Sequence, residues 1–275
     1  MKRATKQEEA MILDYLGQDV ANCLYLYADI AKYGIDGENM KVWYDTDAHG
    51  IRMVVMKYHT NFQVYTNRDF EAVKDLLSLI EQEKPLGISA REEIVKAIEE
   101  QVKNDYHAEY GIIFNYASIP PALCKTYTVQ LQECDVAIEL ADPEDAEGIA
   151  DLLFLDEAMS SIYTKESLTQ QLQERILTGM GRSYIIRDGD RIVAHNATYA
   201  ESDRFVVIGG LMVHPNYRNT EYANWIQIKS SLEFQKEQKC CYFMVLDRRL
   251  IRLQMRLGTP VAAHYGKLAR VKEIV

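Results

Sequence analysis

Strand-like and helix-like stretches alternate along this chain, and much the same order of them runs twice. A strand turns an apolar side chain to one face every second residue, a helix every third or fourth, so each run shows which layer it must join. Sheets and helices bury their apolar faces against each other, and alternation of the two therefore calls for helices packed on a sheet. A length of 275 residues leaves room for two units of ordinary size.

The first half opens with a helical stretch from about Gln7 to Lys32. "KVWYDTDAHGIRMVVMKYHTNFQVYT" follows as a meander of strands, with β-branched and aromatic runs around the turn residues "DAHG" and "HTN". A helix capped by Asn67 comes next, with Phe70, Val73, Leu77 and Ile80 on one face and Pro85 as its stop. "LGIS" is a short strand, "AREEIVKAIEEQV" a helix that turns Ile94, Ile98 and Val102 inward, and "AEYGIIFNYA" a closing strand. "SIPPALCKTYTVQLQECD" then shows a double proline and little periodicity, which places a junction over 121–135 between a unit at 1–120 and one at 136–275.

The second half repeats the programme. "VAIEL" is a strand, Asp142 and Pro143 start a helix, and Thr164 caps another that Gly179 stops. "RSYIIRDGDRIVAHNATYA" is a hairpin around "DGD", and "FVVIGGLMVHP" is a third strand. A helix with Trp225, Ile228 and Leu232 on one stripe, the buried strand "CYFMVL", a helix ending at Gly258 and a last strand in "PVAAHYGKLARV" complete it.

Composition narrows the function. Hydrophobic residues make up 48% and charged residues 26%, enough for a packed core. A net charge of -10 argues against a general nucleic-acid binder, which needs a basic surface to displace counterions. No apolar run approaches the roughly 20 residues that span a bilayer, and "MKRATKQEEA" has no signal-peptide core, so a cytoplasmic protein without a membrane partner is expected. The five cysteines form no CxxC pair and the six histidines no HExxH spacing, so reduced thiols and no metal are expected.

The order of elements, with "LMVHPNYRNTEYA" at a strand-to-helix junction, "RDGDRIVAHNATYAE" as a hairpin and "LIRLQMRLGT" as a last helix and turn, resembles the GNAT acyltransferase superfamily over about residues 136 to 275. The first half resembles a degenerate second copy without the signature. The implied fold class is α/β (α+β), two GNAT-like units in tandem, each a mixed, largely antiparallel sheet flanked by helices. In the family the signature reads arginine or glutamine, two residues of any kind, glycine, any residue, then glycine or alanine. Arg218 and Ala223 fit its ends, and Glu221 replaces the glycine. The resemblance implies acetyl-CoA as co-substrate, with the pyrophosphate on Arg218, Asn219, Thr220, Glu221, Tyr222 and Ala223 and the pantetheine amides on the main chain of Leu211 and Val213. Physics agrees on the first point: a helix start offers unpaired N–H groups and partial positive charge to an anion. Against it, the Glu221 carboxylate repels a pyrophosphate unless it faces away, and a helix start that has lost its ligand is the alternative.

Direct acyl transfer to an amine needs a group to take the amine proton and one to protonate the leaving thiolate. The family's tyrosine on the last helix is Gln254 here, and its phenylalanine after "LG" is Thr259. Tyr265 or a water is the candidate substitute acid. Glu201, at the end of "ATYAE", is the candidate base, its alternative being a solvated turn residue. His195 and His214 rank behind it as core or surface histidines. Arg248, Arg252 and Arg256 line one side of the last helix, where a solvated face is simpler than a ligand contact. The expected function is N-acyl transfer to a small-molecule or peptide amine. A catalytically silent coenzyme A sensor is the alternative, and a structural tandem in which the first unit provides a homodimer surface is the third reading.

Overall fold

The computed structural model describes residues 1–37, 39–68, 73–116, 121–133 and 136–271. Its elements are β1 (Lys2–Arg3), α1 (Glu9–Gly17), α2 (Leu24–Tyr33), β2 (Met40–Asp47), β3 (Gly50–Tyr58), β4 (Asn61–Tyr65), α3 (Val73–Glu83), β5 (Gly87–Arg91), α4 (Glu92–Val102) and β6 (Tyr106–Asn115). They continue as α5 (Pro121–Glu133), β7 (Glu139–Leu140), α6 (Ala146–Leu153), α7 (Glu157–Ile162), α8 (Lys165–Leu177), β8 (Ser183–Asp188), β9 (Arg191–Glu201), β10 (Phe205–Val213), α9 (Tyr222–Lys236), β11 (Cys240–Val245), α10 (Arg248–Arg256) and β12 (Val261–Arg270). No helix among the described residues is long and apolar enough to cross a membrane.

Two compact units emerge, and they do not follow a single cut in the chain. One comprises Met1–Phe114, Val245–Met255 and Val261–Val275, the other Asn115–Met244 and Arg256–Pro260. The sequence assigns everything from residue 136 onward to the second half, yet most of α10 and all of β12 go to the first unit. The reason is strand pairing: β12 lies between β5 and β6, with Leu268 opposite Ile88 on one side and Ala108 on the other.

In the first unit the strands run β1-β2-β3-β4-β5-β12-β6, all neighbours antiparallel except β4 and β5. The parallel pair needs a crossover, and α3 supplies it. One face buries Ile12, Leu16, Leu26 and Ile30 of α1 and α2 against Val42, Val54 and Met56. The other buries Leu76, Leu79 and Ile80 of α3 with Ile94, Val95 and Ile98 of α4 against Val55, Phe62 and Ile88. Each such side chain stabilises by about 1.5–3 kcal/mol on leaving water. The second unit repeats the plan: β7-β8-β9-β10 antiparallel, then β11 parallel to β10 with α9 as the crossover. Its α6 and α8 bury Ile149, Leu153, Leu168 and Leu172 against Ile185 and Ile192. The mixed, largely antiparallel sheets and the tandem repeat are as the sequence predicts.

Several elements differ from the sequence expectation. The helix from Gln7 to Lys32 breaks between Gly17 and Leu24, where Asp19 accepts from the Asn22 side chain at 2.9 Å and the Cys23 thiol bonds the Leu16 carbonyl. Such short polar side chains offer the backbone an alternative to helix. In α3 the buried face is Leu76, Leu79 and Ile80, with Leu77 only partly buried. Phe70 and the start of that helix lie outside the described residues, as do 134–135 of the junction. The Asn67 side chain accepts from the Tyr15 hydroxyl at 3.1 Å, and the residues it is expected to cap lie outside those described. The unpatterned junction folds as α5, with Pro121 at its first position, where a missing N–H does no harm. The caps of the second half form as expected. Asp142 and Asp145 make a reciprocal capping box, and Thr164 Oγ1 accepts the Ser167 N–H at 3.2 Å.

Candidate functional site

The site builds from an irregularity in β10. Its apolar run "FVVI" pairs with β11 from Phe205↔Cys240 as far as Ile208↔Phe243, and no pairing between these strands is formed beyond it. On the other edge β10 continues against β9, but the register shifts between Gly209 and Met212. Gly210 makes this bulge with φ of 66°, a backbone conformation that a side chain opposes. The Tyr199 ring of β9 fills the space a Cβ would need at Gly209, and its hydroxyl lies 2.7 Å from a Cβ at Gly210. Behind the bulge His195, fully buried, brings Nδ1 to 2.9 Å from the Gly210 carbonyl. Burial pushes its pKa down to about 4, although the Gly210 bond opposes this, so the ring is neutral. Leu211 and Val213 follow, apolar residues left only partly buried.

After β10 the chain turns through Pro215–Tyr217, with the His214 ring capping the turn, and enters α9. Arg218 is extended and exposed, and Asn219 takes φ of 68°, a left-handed conformation that asparagine tolerates better than most residues. Thr220 Oγ1 donates to the Tyr217 carbonyl at 2.7 Å and receives a long bond from the Tyr222 N–H. The Tyr222 ring stacks on Tyr217 and touches Trp225. The first regular bond of the helix runs from the Trp225 N–H to the Glu221 carbonyl. Among the described residues, the Ala223 and Asn224 N–H groups find no acceptor, as the first turn of a helix leaves them.

The question raised by Glu221 has a geometric answer. This residue is the N-cap of α9, and its carboxylate accepts from the Asn224 side chain at 2.6 Å instead of capping the helix. Its charge is also felt by Tyr127 of α5, whose phenol is pushed up first by burial and then by that charge.

No family model matches the chain, and no curated protein does. Solved structures do. An acetyltransferase of the GNAT family from Colwellia psychrerythraea superposes with a TM-score of 0.61 at 10% identity, covering 98% of this chain and 99% of that one. A GCN5-related N-acetyltransferase-like protein from Streptococcus suis gives 0.60 at 13% identity, over 97% and 100%. A tandem GNAT protein from the clavulanic acid biosynthesis pathway gives 0.55 at 9% identity, over 96% and 94%. The chain has the GNAT fold. Likeness at these identities speaks for the fold, and the chemistry must be argued from residues.

Within this GNAT fold the residues named for proton transfer fare differently from the helix start. Glu201 ends β9 between two cations, Arg182 at 2.7 Å and Lys239 at 2.6 Å. Burial pushes its carboxyl up, but the bonds from Lys239 and Arg182 outweigh burial and hold it below the usual range. A carboxylate so paired is a poor proton acceptor, and its position is that of a structural ion pair rather than the expected base. Tyr265 lies on β12 in the first unit, its ring packed over Gly111 of β6, and burial pushes its phenol well up. Gln254 is fully buried on α10 and Thr259 nearly so, while Arg248, Arg252 and Arg256 are exposed. Among the described residues, no three His, Cys, Asp or Glu side chains gather as a metal would require. His195 is the core histidine that the sequence allows, and Tyr199 was not singled out there. The "GG" beside an alternating strand was the available signal, and it needed the opposite strand to show what it approaches.

Proposed function

We propose that the second unit binds an acyl-CoA and that the chain transfers the acyl group to an amine. The observation that carries this reading is the conjunction of a helix start with open amides and a parallel strand pair that parts directly before it. The open N–H groups of Ala223 and Asn224, with Arg218 alongside, suit a pyrophosphate, and the half-buried main chain of Leu211 and Val213 suits the pantetheine amides. Asn219, Thr220 and Tyr222 shape the turn, and the Glu221 carboxylate is engaged by the Asn224 side chain. A bound acyl-CoA supplies the activated thioester: the amine nitrogen bonds the carbonyl carbon and gives up a proton, the carbon–sulfur bond breaks, and the leaving thiolate takes up a proton, which leaves an amide and free coenzyme A. The acceptor is a small-molecule or peptide amine.

Calorimetric titration of the full chain with coenzyme A tests this. Binding is expected, weakened strongly by Ala223→Trp, which crowds the amides, and less by Arg218→Ala. No heat at millimolar coenzyme A overturns the reading. A silent coenzyme A sensor is the second reading, favoured by the ion-paired Glu201 and the buried Gln254. Coenzyme A binding without acylation of any amine in a broad panel selects it.

A further inference from the structure

Gly210 and Leu211 have no ladder partner on either neighbouring strand. What fixes the bulge instead is a side chain. His195 is fully buried and holds the Gly210 carbonyl at 2.9 Å through Nδ1, while Nε2 lies 3.3 Å from Ser183 Oγ. A carbonyl only accepts, so Nδ1 carries the proton and the Ser183 hydroxyl donates to Nε2. The neutral state of the ring agrees with this tautomer. A peptide unit is planar and trans, so its N–H points opposite to its carbonyl. With the Gly210 carbonyl held by the His195 ring, the Leu211 N–H points away from that ring.

We propose that His195 is a positioning residue: its bond to the Gly210 carbonyl aims the Leu211 N–H into the opening between β10 and β11, as a hydrogen-bond donor to the acyl carbonyl oxygen of a bound thioester. This rests on the acyl-CoA reading and adds the residue that sets one of its contacts. A histidine placed there for packing alone needs no bond to a strained glycine, and a leucine would fill the space without burying polar atoms.

Isotope-edited infrared spectroscopy of [1-13C]acetyl-CoA on the full chain reads the donor directly. The bound carbonyl band is expected at lower frequency than in water-free solvent, and acetyl-CoA is expected to bind more tightly than coenzyme A. In His195→Leu the band shift disappears and the acetyl-CoA preference falls by about 2- to 10-fold, the size of one net hydrogen bond, with coenzyme A affinity retained. In His195→Gln, whose amide can still donate, both recover in part. An unchanged band and preference in His195→Leu overturn the proposal while leaving coenzyme A binding intact. Failure of the wild type to bind coenzyme A instead overturns the reading beneath it. If His195→Leu does not fold, 15N spectra of histidine-labelled wild type decide: the Nδ1–H tautomer supports the proposal, and the Nε2–H tautomer ends it.

Discussion

Gly210 and Gly189 offer a controlled measurement of what the bulge demands. Both have positive φ, 66° and 59°, and alanine at either is strained by roughly 1–2 kcal/mol from the left-handed backbone alone. They differ in surroundings. A Cβ at Gly189, in the β8–β9 turn, meets nothing within 4 Å, whereas one at Gly210 falls 2.7 Å from the Tyr199 hydroxyl and 3.3 Å from His195 Cε1. Tyr199 is 42% exposed and can swing its hydroxyl outward, while His195 is enclosed and bonded on both nitrogens. The stiff contact adds about 1 kcal/mol, the lower end of overpacking effects. Gly189→Ala should therefore lose about 1–2 kcal/mol and Gly210→Ala about 2–3 kcal/mol. Urea unfolding measures both. The chain has two tryptophans, Trp43 in the first unit and Trp225 in the second, so a Trp43→Phe background lets fluorescence report the second unit. Adding Tyr199→Phe to Gly210→Ala should recover only a few tenths of a kcal/mol, since that contact relaxes by itself. A Gly210→Ala loss no larger than that of Gly189→Ala would refute the reasoning that the bulge is packed against a fixed imidazole.

Three further outcomes are expected. The Arg182 bond, helped by Lys239, holds the Glu237 carboxyl down to about 2 against an ordinary 4.5, so its contribution is present above pH 4.5 and lost as pH falls toward 2. Arg182→Gln should thus lower stability at pH 7 and flatten the acid limb, and an equal loss at pH 7 and pH 2 would contradict it. Gln254→Tyr adds a ring where no surface is exposed, and should lower stability by about 1–3 kcal/mol in thermal melts without raising acyl transfer. Glu221→Gln removes a charge from the helix start and should tighten coenzyme A binding by a few-fold at low salt, from about 0.3–1 kcal/mol of dipole-scale electrostatics. No change at low salt would show that the carboxylate is too far aside to be felt.

Much of the fold was legible because caps and periodicities are local. Thr164, Asp142 and the "DGD" turn each announce their element within a few residues, and so do the alternating strands of the second half. Long-range pairing leaves no such mark. "PVAAHYGKLARV" reads as a strand, but nothing in it names β5 and β6 as its neighbours. Polar burial is equally silent: the sequence stripe of α9 is Trp225, Ile228 and Leu232, yet Asn224, Gln227, Ser230 and Ser231 are buried as well. They are admitted because the Tyr116 hydroxyl bonds Gln227, Asn196 bonds Ser230, and the two serines donate to carbonyls of the preceding turn. For the site, the signature placed the helix start correctly at the head of α9. It could not reveal that Glu201 is spoken for by Arg182 and Lys239, since those partners come from distant stretches of chain.

The placement of β12 has a consequence for how the protein is made. Its ten residues fill the slot between β5 and β6, so a nascent chain carries an unfinished first sheet, with two strand edges bare, until synthesis has passed through the whole second unit. Bare edges recruit other strands, and pairing between such remote segments is slow to form. The time between release of β6 and arrival of β12 is therefore the interval in which this chain is most exposed to aggregation. Truncation before Val261 would be felt first in the unit that was translated first.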